Sequence, residues 1–227
     1  MYAEKQLGRR PPTDWKHVEK FPLTATPAAP TPVVLGINWY SNFDEPNLDS
    51  KGRYWIGVGN LGPIRGGHCI CAKSSGHPDL IGWWQFYDQG QEGACVGFGT
   101  ARAQSLLNRT RYDAFWTYNE AKKIDEWPGE DYDGTSVRAG FEVERTLGLK
   151  RARSGLVVQG DGIAAYRWAT TVKMVHGSLQ SPLADSLGAI PLLNSWGTAY
   201  PHIVWLPDET LDRLLSEDGE AGLITDR

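Results

Sequence analysis

The chain has 227 residues, 41% of them hydrophobic, with 23 basic and 27 acidic side chains and a formal net charge of −4. That length suits one compact domain, or two small lobes sharing an interface. The slightly acidic balance excludes nucleic acid as a default partner.

Residues 1–32 read as an irregular N-terminal arm. Pro11, Pro12, Pro22, Pro27, Pro30 and Pro32 break any long helix, and Thr24–Pro32 resembles a linker. The segment is polar and lacks the apolar h-region of a signal peptide. No run approaches the roughly 20 apolar residues that span a bilayer. The expectation is a protein of the cytoplasm, of host cytoplasm or of a virus particle, without a membrane partner.

Val33–Tyr40 is β-branched and aromatic and predicts a buried strand. Arg53–Val58 and Gly66–Ala72 predict two more, and Lys73–Leu80 a loop. Helices are expected over Ala94–Asn108, Ala114–Ile124, Ser136–Leu147 and Ala169–Leu179. Thr135 or Ser136 opens the third of these and Gly148 closes it. Strands follow at Ala189–Asn194 and His202–Leu206, then a last helix over Glu209–Leu215 capped by Asp208. Strands, then helices, then strands is an α+β order with a segregated helical part. The basic runs Arg9-Arg10 and Lys150-Arg151-Ala152-Arg153 are short and read as solvated loop charges.

The three cysteines are Cys69, Cys71 and Cys95, an odd count that argues against a disulfide framework. Cys95 stands at the predicted start of a helix after a glycine-rich turn. Free N–H groups and partial positive charge there favour a thiolate and hold an oxyanion. An isolated cysteine in that place is more often packing than chemistry. Cys69-Ile70-Cys71 has the wrong spacing for a zinc pair. The acidic stretch of Asp125, Glu126, Glu130, Asp131 and Asp133 lacks the spacing of a calcium loop. It reads as solvated, or as a surface near a substrate entrance that prefers basic side chains. No metal and no cofactor is expected.

Three further motifs change the reading of Cys95. Gln89 precedes it by six residues, Gly66-Gly67-His68-Cys69-Ile70 places a histidine between glycines and apolar residues, and Asn194-Ser195-Trp196-Gly197 follows a predicted strand. Together these resemble the papain-like cysteine peptidases of bacterial and bacteriophage type, over most of residues 33–72 and 86–221. The resemblance implies a helical lobe (86–185) packed on an antiparallel sheet or barrel lobe (33–85 and 186–227). It implies catalysis by Cys95, His68, Asn194 and Gln89 through a thiolate–imidazolium pair and an acyl-enzyme, with Gln89 as an oxyanion donor and Asn194 orienting the imidazole. Gly134 and Asp133, before a helix, match the substrate-binding turn, and Trp196 covers the His68–Asn194 contact. A peptide or protein is then the substrate.

The motif order departs from the family, since His68 precedes Cys95, as a permuted chain requires. A triad is defined by geometry and not by chain order. His202 is a rival base, whereas His17, His77 and His176 lie in polar or helical surroundings without a catalytic expectation. Two other readings stand beside this one. One is a permuted amidase or acyltransferase of the NlpC/P60 kind. The other is an inactive papain-like module of a phage particle.

Overall fold

A computed structural model describes residues 29–74, 87–127 and 133–226. Most of the N-terminal arm, the loop after Ser74, part of the acidic stretch, His17 and His77 lie outside the described residues.

The fold is α+β. One eight-stranded sheet runs in the order β2-β3-β9-β8-β4-β1-β10-β7. The strands are β1 (Val33–Tyr40), β2 (Asn47–Leu48), β3 (Tyr54–Trp55), β4 (Ile64–Ala72), β7 (Ala165–Trp168), β8 (Ala189–Leu193), β9 (Ile203–Pro207) and β10 (Glu220–Asp226). β5 (Leu149–Lys150) and β6 (Val157–Val158) form a separate hairpin. The expected antiparallel sheet or barrel is corrected in two ways. The sheet is open, with β2 and β7 at its edges, and it is mixed, because β3 pairs parallel with β9.

Side-chain alternation on β1 and β4 builds a core on each face. Val33, Leu35, Ile37, Trp39, Ile70 and Ala72 join one cluster, which also takes in Val175, Leu179, Leu211 and Leu214. These last come from α4 (Val172–Leu179) and α6 (Asp208–Ser216). Val34, Cys69 and Cys71 join the other cluster, with Val96, Leu106, Val137 and Phe141. Those belong to α1 (Cys95–Asn108) and α3 (Val137–Thr146), with α2 (Ala114–Ala121) packed on both helices. Gly99 lets α1 settle on β4, since a Cβ there would lie 2.8 Å from Cys69 Sγ.

β1 matches its predicted span, and Ser136 caps α3 by accepting the Ala139 N–H at 3.1 Å. The strand expected over Arg53–Val58 shrinks to Tyr54–Trp55. Asp208 is not the cap expected of it. Pro207 holds that position, and Asp208 lies in the first turn, where its carboxylate accepts from His176 Nε2 at 2.8 Å. Nδ1 of the same ring meets Asp185 at 2.6 Å, so one imidazole joins α4, α6 and α5 (Pro182–Leu187). The last residues of the arm are pinned too, by the Thr31 N–H on the Ser178 carbonyl at 2.9 Å. Among the described residues no helix is long and apolar enough to cross a membrane.

Candidate active site

Cys95 is the first residue of α1, and the N-cap is Ala94, which places no side-chain oxygen on the helix N–H groups. A Ser or Asp cap would consume one of those donors. No acidic residue stands in the first turn. The helix start is therefore electropositive and open. Burial pushes the Cys95 thiol above its usual range, and the N–H groups of Cys69, Val96 and Cys95 itself pull the other way. Cys69 and Cys71 are fully buried, and burial drives both thiols well up, Cys71 to about 12. All three cysteines are free, and Cys95 is the partly exposed one.

The Cys69 N–H that serves the Cys95 sulfur belongs to the residue after His68 on β4. The ring Nε2 of His68 bonds Asn194 Oδ1 at 2.9 Å. That bond leaves Nδ1, the ring nitrogen nearer the main chain, as the one free for a second partner. Among the described residues no hydrogen bond joins the His68 ring to the Cys95 sulfur. Catalytic contacts of this kind often close only around substrate.

His68 is 6% exposed, and three rings enclose it together with Asn194. Trp196 lies over the imidazole at 4.8 Å and 33°. Trp39 meets it edge-on at 4.8 Å, and Tyr200 packs edge-on against Trp196 at 5.1 Å. Burial lowers the His68 pKa to about 4, against the raising effects of Asn194 and Asp44. The imidazole is neutral at pH 7. Asn194 Oδ1 also accepts from the Ser195 N–H at 2.7 Å, which fixes the carboxamide with its oxygen toward the ring. Its Nδ2 is buried without a hydrogen-bond acceptor of good geometry, beside the Tyr200 hydroxyl that donates to Phe43 O at 2.7 Å.

The loop before α1 is zipped to the segment after β8. The Gln89 N–H donates to Ser195 O at 2.9 Å, the Gly197 N–H donates to Tyr87 O at 3.0 Å, and Asp88 pairs with Trp196. The Ser195 hydroxyl donates to Gln89 Oε1 at 2.6 Å, and Gln89 Nε2 donates to Glu92 O at 2.9 Å. A carboxamide nitrogen carries two N–H bonds, so one remains for a ligand. On the other side, Gly93 lies so close to the turn before α3 that a Cβ would come within 2.8 Å of Asp133 and 2.9 Å of the Gly134 nitrogen. Gly134 has φ +126°, open to glycine and strained for other residues.

The structure thus brings His68, Asn194 and Trp196 into direct contact and ties Gln89 to the Asn194 segment. It sets Cys95 beside the β4 backbone next to His68, and Asp133 and Gly134 beside Gly93. Sequence reasoning missed Ser195 as the support of Gln89, and Trp39 and Tyr200 as walls. Only the Ser-Trp of the Asn194 motif hinted at the first. It also missed Glu220, which pairs with Gly36 on β1 and whose carboxyl burial raises to about 7, with Glu126 adding to the effect. Among the described residues no three His, Cys, Asp or Glu side chains converge as a metal site requires. The chain matches no protein family, no curated protein and no solved structure.

Proposed function

We propose that the protein is a cysteine-dependent hydrolase of peptide bonds, with a papain-like site assembled in permuted chain order. The observation that carries this is the buried His68–Asn194 bond under Trp196. It lies one residue along β4 from the N–H that serves the Cys95 sulfur at an uncapped helix start.

Burial opposes charge on both partners, so the resting pair is thiol and neutral imidazole. A neutral imidazole is a competent base. As substrate enters, His68 takes the Cys95 proton on Nδ1 while Asn194 holds Nε2–H in place. The sulfur attacks the carbonyl carbon, and the oxyanion receives the Cys95 N–H and the remaining N–H of Gln89. His68 then protonates the leaving amine, and water attacks the acyl-enzyme with His68 again as base. Gly134 pairs with the backbone of an extended substrate, next to Asp133. A peptide is preferred to a cell-wall or lipid substrate because Gln89 and Asn194 are both present and linked through Ser195.

The test is turnover of a peptide library by the full chain, with peptidoglycan fragments assayed beside it. Peptide cleavage by the wild type that is lost in Cys95→Ala is the expected result. Cleavage that survives Cys95→Ala, or confined to the cell-wall fragments, overturns the reading.

A further inference from the structure

The chain is acidic overall, yet four arginines from two distant stretches meet on one surface. Asn108 ends α1, and the chain continues as Arg109-Thr110-Arg111. An isolated antiparallel bridge between Tyr112 and Arg151 and the Ala152 N–H on Arg111 O at 2.9 Å bring this segment beside Arg151-Ala152-Arg153, whose last two residues enter a turn. Arg109, in the left-handed conformation that ends α1 (φ +50°), lies with Arg111 on one side, and Arg151 with the turn over residues 152–154 brings Arg153 to the other. Together with Thr110 and Ser154 they line a cleft of about 660 Å³.

The scaffold beneath is rigid. The Tyr87 hydroxyl accepts from the Tyr112 N–H at 3.0 Å and donates to the Tyr112 carbonyl at 2.9 Å. Arg111 lies over the Tyr87 ring at 5.2 Å. Arg151 is fixed on Asp161 by its Nε and Nη2, which donate at 2.6 and 2.8 Å. Lys150, beside the cleft, is matched by Asp113 at 3.0 Å. Among the described residues no carboxylate pairs with Arg109 or Arg153. Concentrated like charge costs stability unless a counter-charge arrives, and this cleft holds more guanidinium than its own acids balance.

We propose that the cleft binds a small, multiply charged anion bearing phosphate groups. Planar guanidinium forks fit phosphate oxygens two at a time, and the Thr110 and Ser154 hydroxyls add neutral donors. The volume falls in the range of small-molecule sites, and the concave shape fits a compact ligand better than a nucleic-acid strand. The cleft stands at the far end of α1 from Cys95, about 20 Å away at 1.5 Å per residue. It is therefore separate from the candidate active site and does not depend on that assignment.

Titration calorimetry of the full chain with inorganic pyrophosphate tests this. The expected result is saturable one-site binding that weakens with salt and falls roughly tenfold or more in the Arg109→Gln/Arg153→Gln double variant. The Arg109→Lys/Arg153→Lys variant, which keeps charge and loses the fork, falls between the two. Lys51→Gln, an exposed charge elsewhere, leaves binding unchanged. The proposal is overturned if pyrophosphate fails to saturate, if the glutamine double variant binds as the wild type does, or if Lys51→Gln weakens binding equally. It is also overturned if a short single-stranded oligonucleotide or an acidic peptide competes at these residues and binds more tightly than pyrophosphate.

Discussion

Lowering the pH from 7 to 4 charges His68 in the unfolded chain before it charges it in the folded one. The unfolded imidazole titrates near 6.5 and the folded one near 4, held down by burial under Trp39 and Trp196. Between those values the unfolded state binds the extra proton, so the native state loses stability as pH falls through that window and levels off below it. At roughly 1.4 kcal/mol per pH unit the loss is about 3 kcal/mol. Two buried carboxyls act in the opposite sense. Burial raises Glu144 to about 8, against hydrogen bonds from Gln104 and Thr100, and Glu220 to about 7. The folded state therefore binds more protons than the unfolded one from about pH 4.5 upward, and stability falls there as pH rises. Wild-type stability alone mixes these slopes, so the comparison is with His68→Gln, which keeps an N–H donor for Asn194 and removes the titration. Urea unfolding of both proteins from pH 4 to 7.5 is the assay. The stability of the wild type relative to the variant should rise by about 2–3 kcal/mol between pH 4 and 6.5 and stay level above. A difference that is flat, or that falls with pH, refutes a desolvated neutral imidazole.

Three further perturbations separate the parts of the structure. Burial pulls the His176 pKa down, but the hydrogen bonds to Asp208 and Asp185 outweigh it and raise the value above 6.5. The stabilisation is therefore complete below pH 6.5 and is lost as pH rises through the raised value. His176→Asn should cost about 1–2 kcal/mol at pH 6 and much less at pH 9, read by thermal unfolding at both. Under the proposed mechanism Gln89 is an oxyanion donor, so Gln89→Ala should raise the barrier to peptide turnover by about 3 kcal/mol, lowering kcat roughly a hundredfold in steady-state kinetics. Gly93→Ala drives a methyl group against Asp133 and Gly134. About 1–3 kcal/mol of stability should be lost, with KM rising more than kcat falls if Gly134 holds substrate backbone.

Much of the framework was legible because the strands and helices that position the site carry strong local patterns. β1 is an unbroken β-branched and aromatic run, and α3 opens on a serine cap that the structure retains. The elements that were missed owe their state to tertiary context. Glu220–Asp226 becomes a strand because β1 lies beside it, with Leu223 opposite Val33 and Glu220 opposite Gly36, and nothing in its own composition required that. Tyr54–Trp55 is short because only two residues find a partner on β9. Asp208 looked like a cap, and its carboxylate went to His176 instead, a partner 32 residues away that no local pattern reveals. Within the site, the helix start pointed to Cys95, and the resemblance to papain-like motifs implied His68, Asn194 and Gln89. The Ser195 hydroxyl that orients Gln89, and the Trp39 and Tyr200 walls that dry the imidazole, depend on how loops meet. The arginine cleft is the extreme case, since its two halves are 40 residues apart and each alone reads as loop charge.

Whether His68 acts on Cys95 is measured most directly by labelling with a peptidyl epoxide, followed by mass spectrometry of the intact and digested chain. A single adduct at Cys95, formed roughly 10²–10⁴ times more slowly in His68→Gln, is the predicted result. Adducts at Cys69 or Cys71 instead, or a Cys95 rate indifferent to the loss of the imidazole, would contradict it.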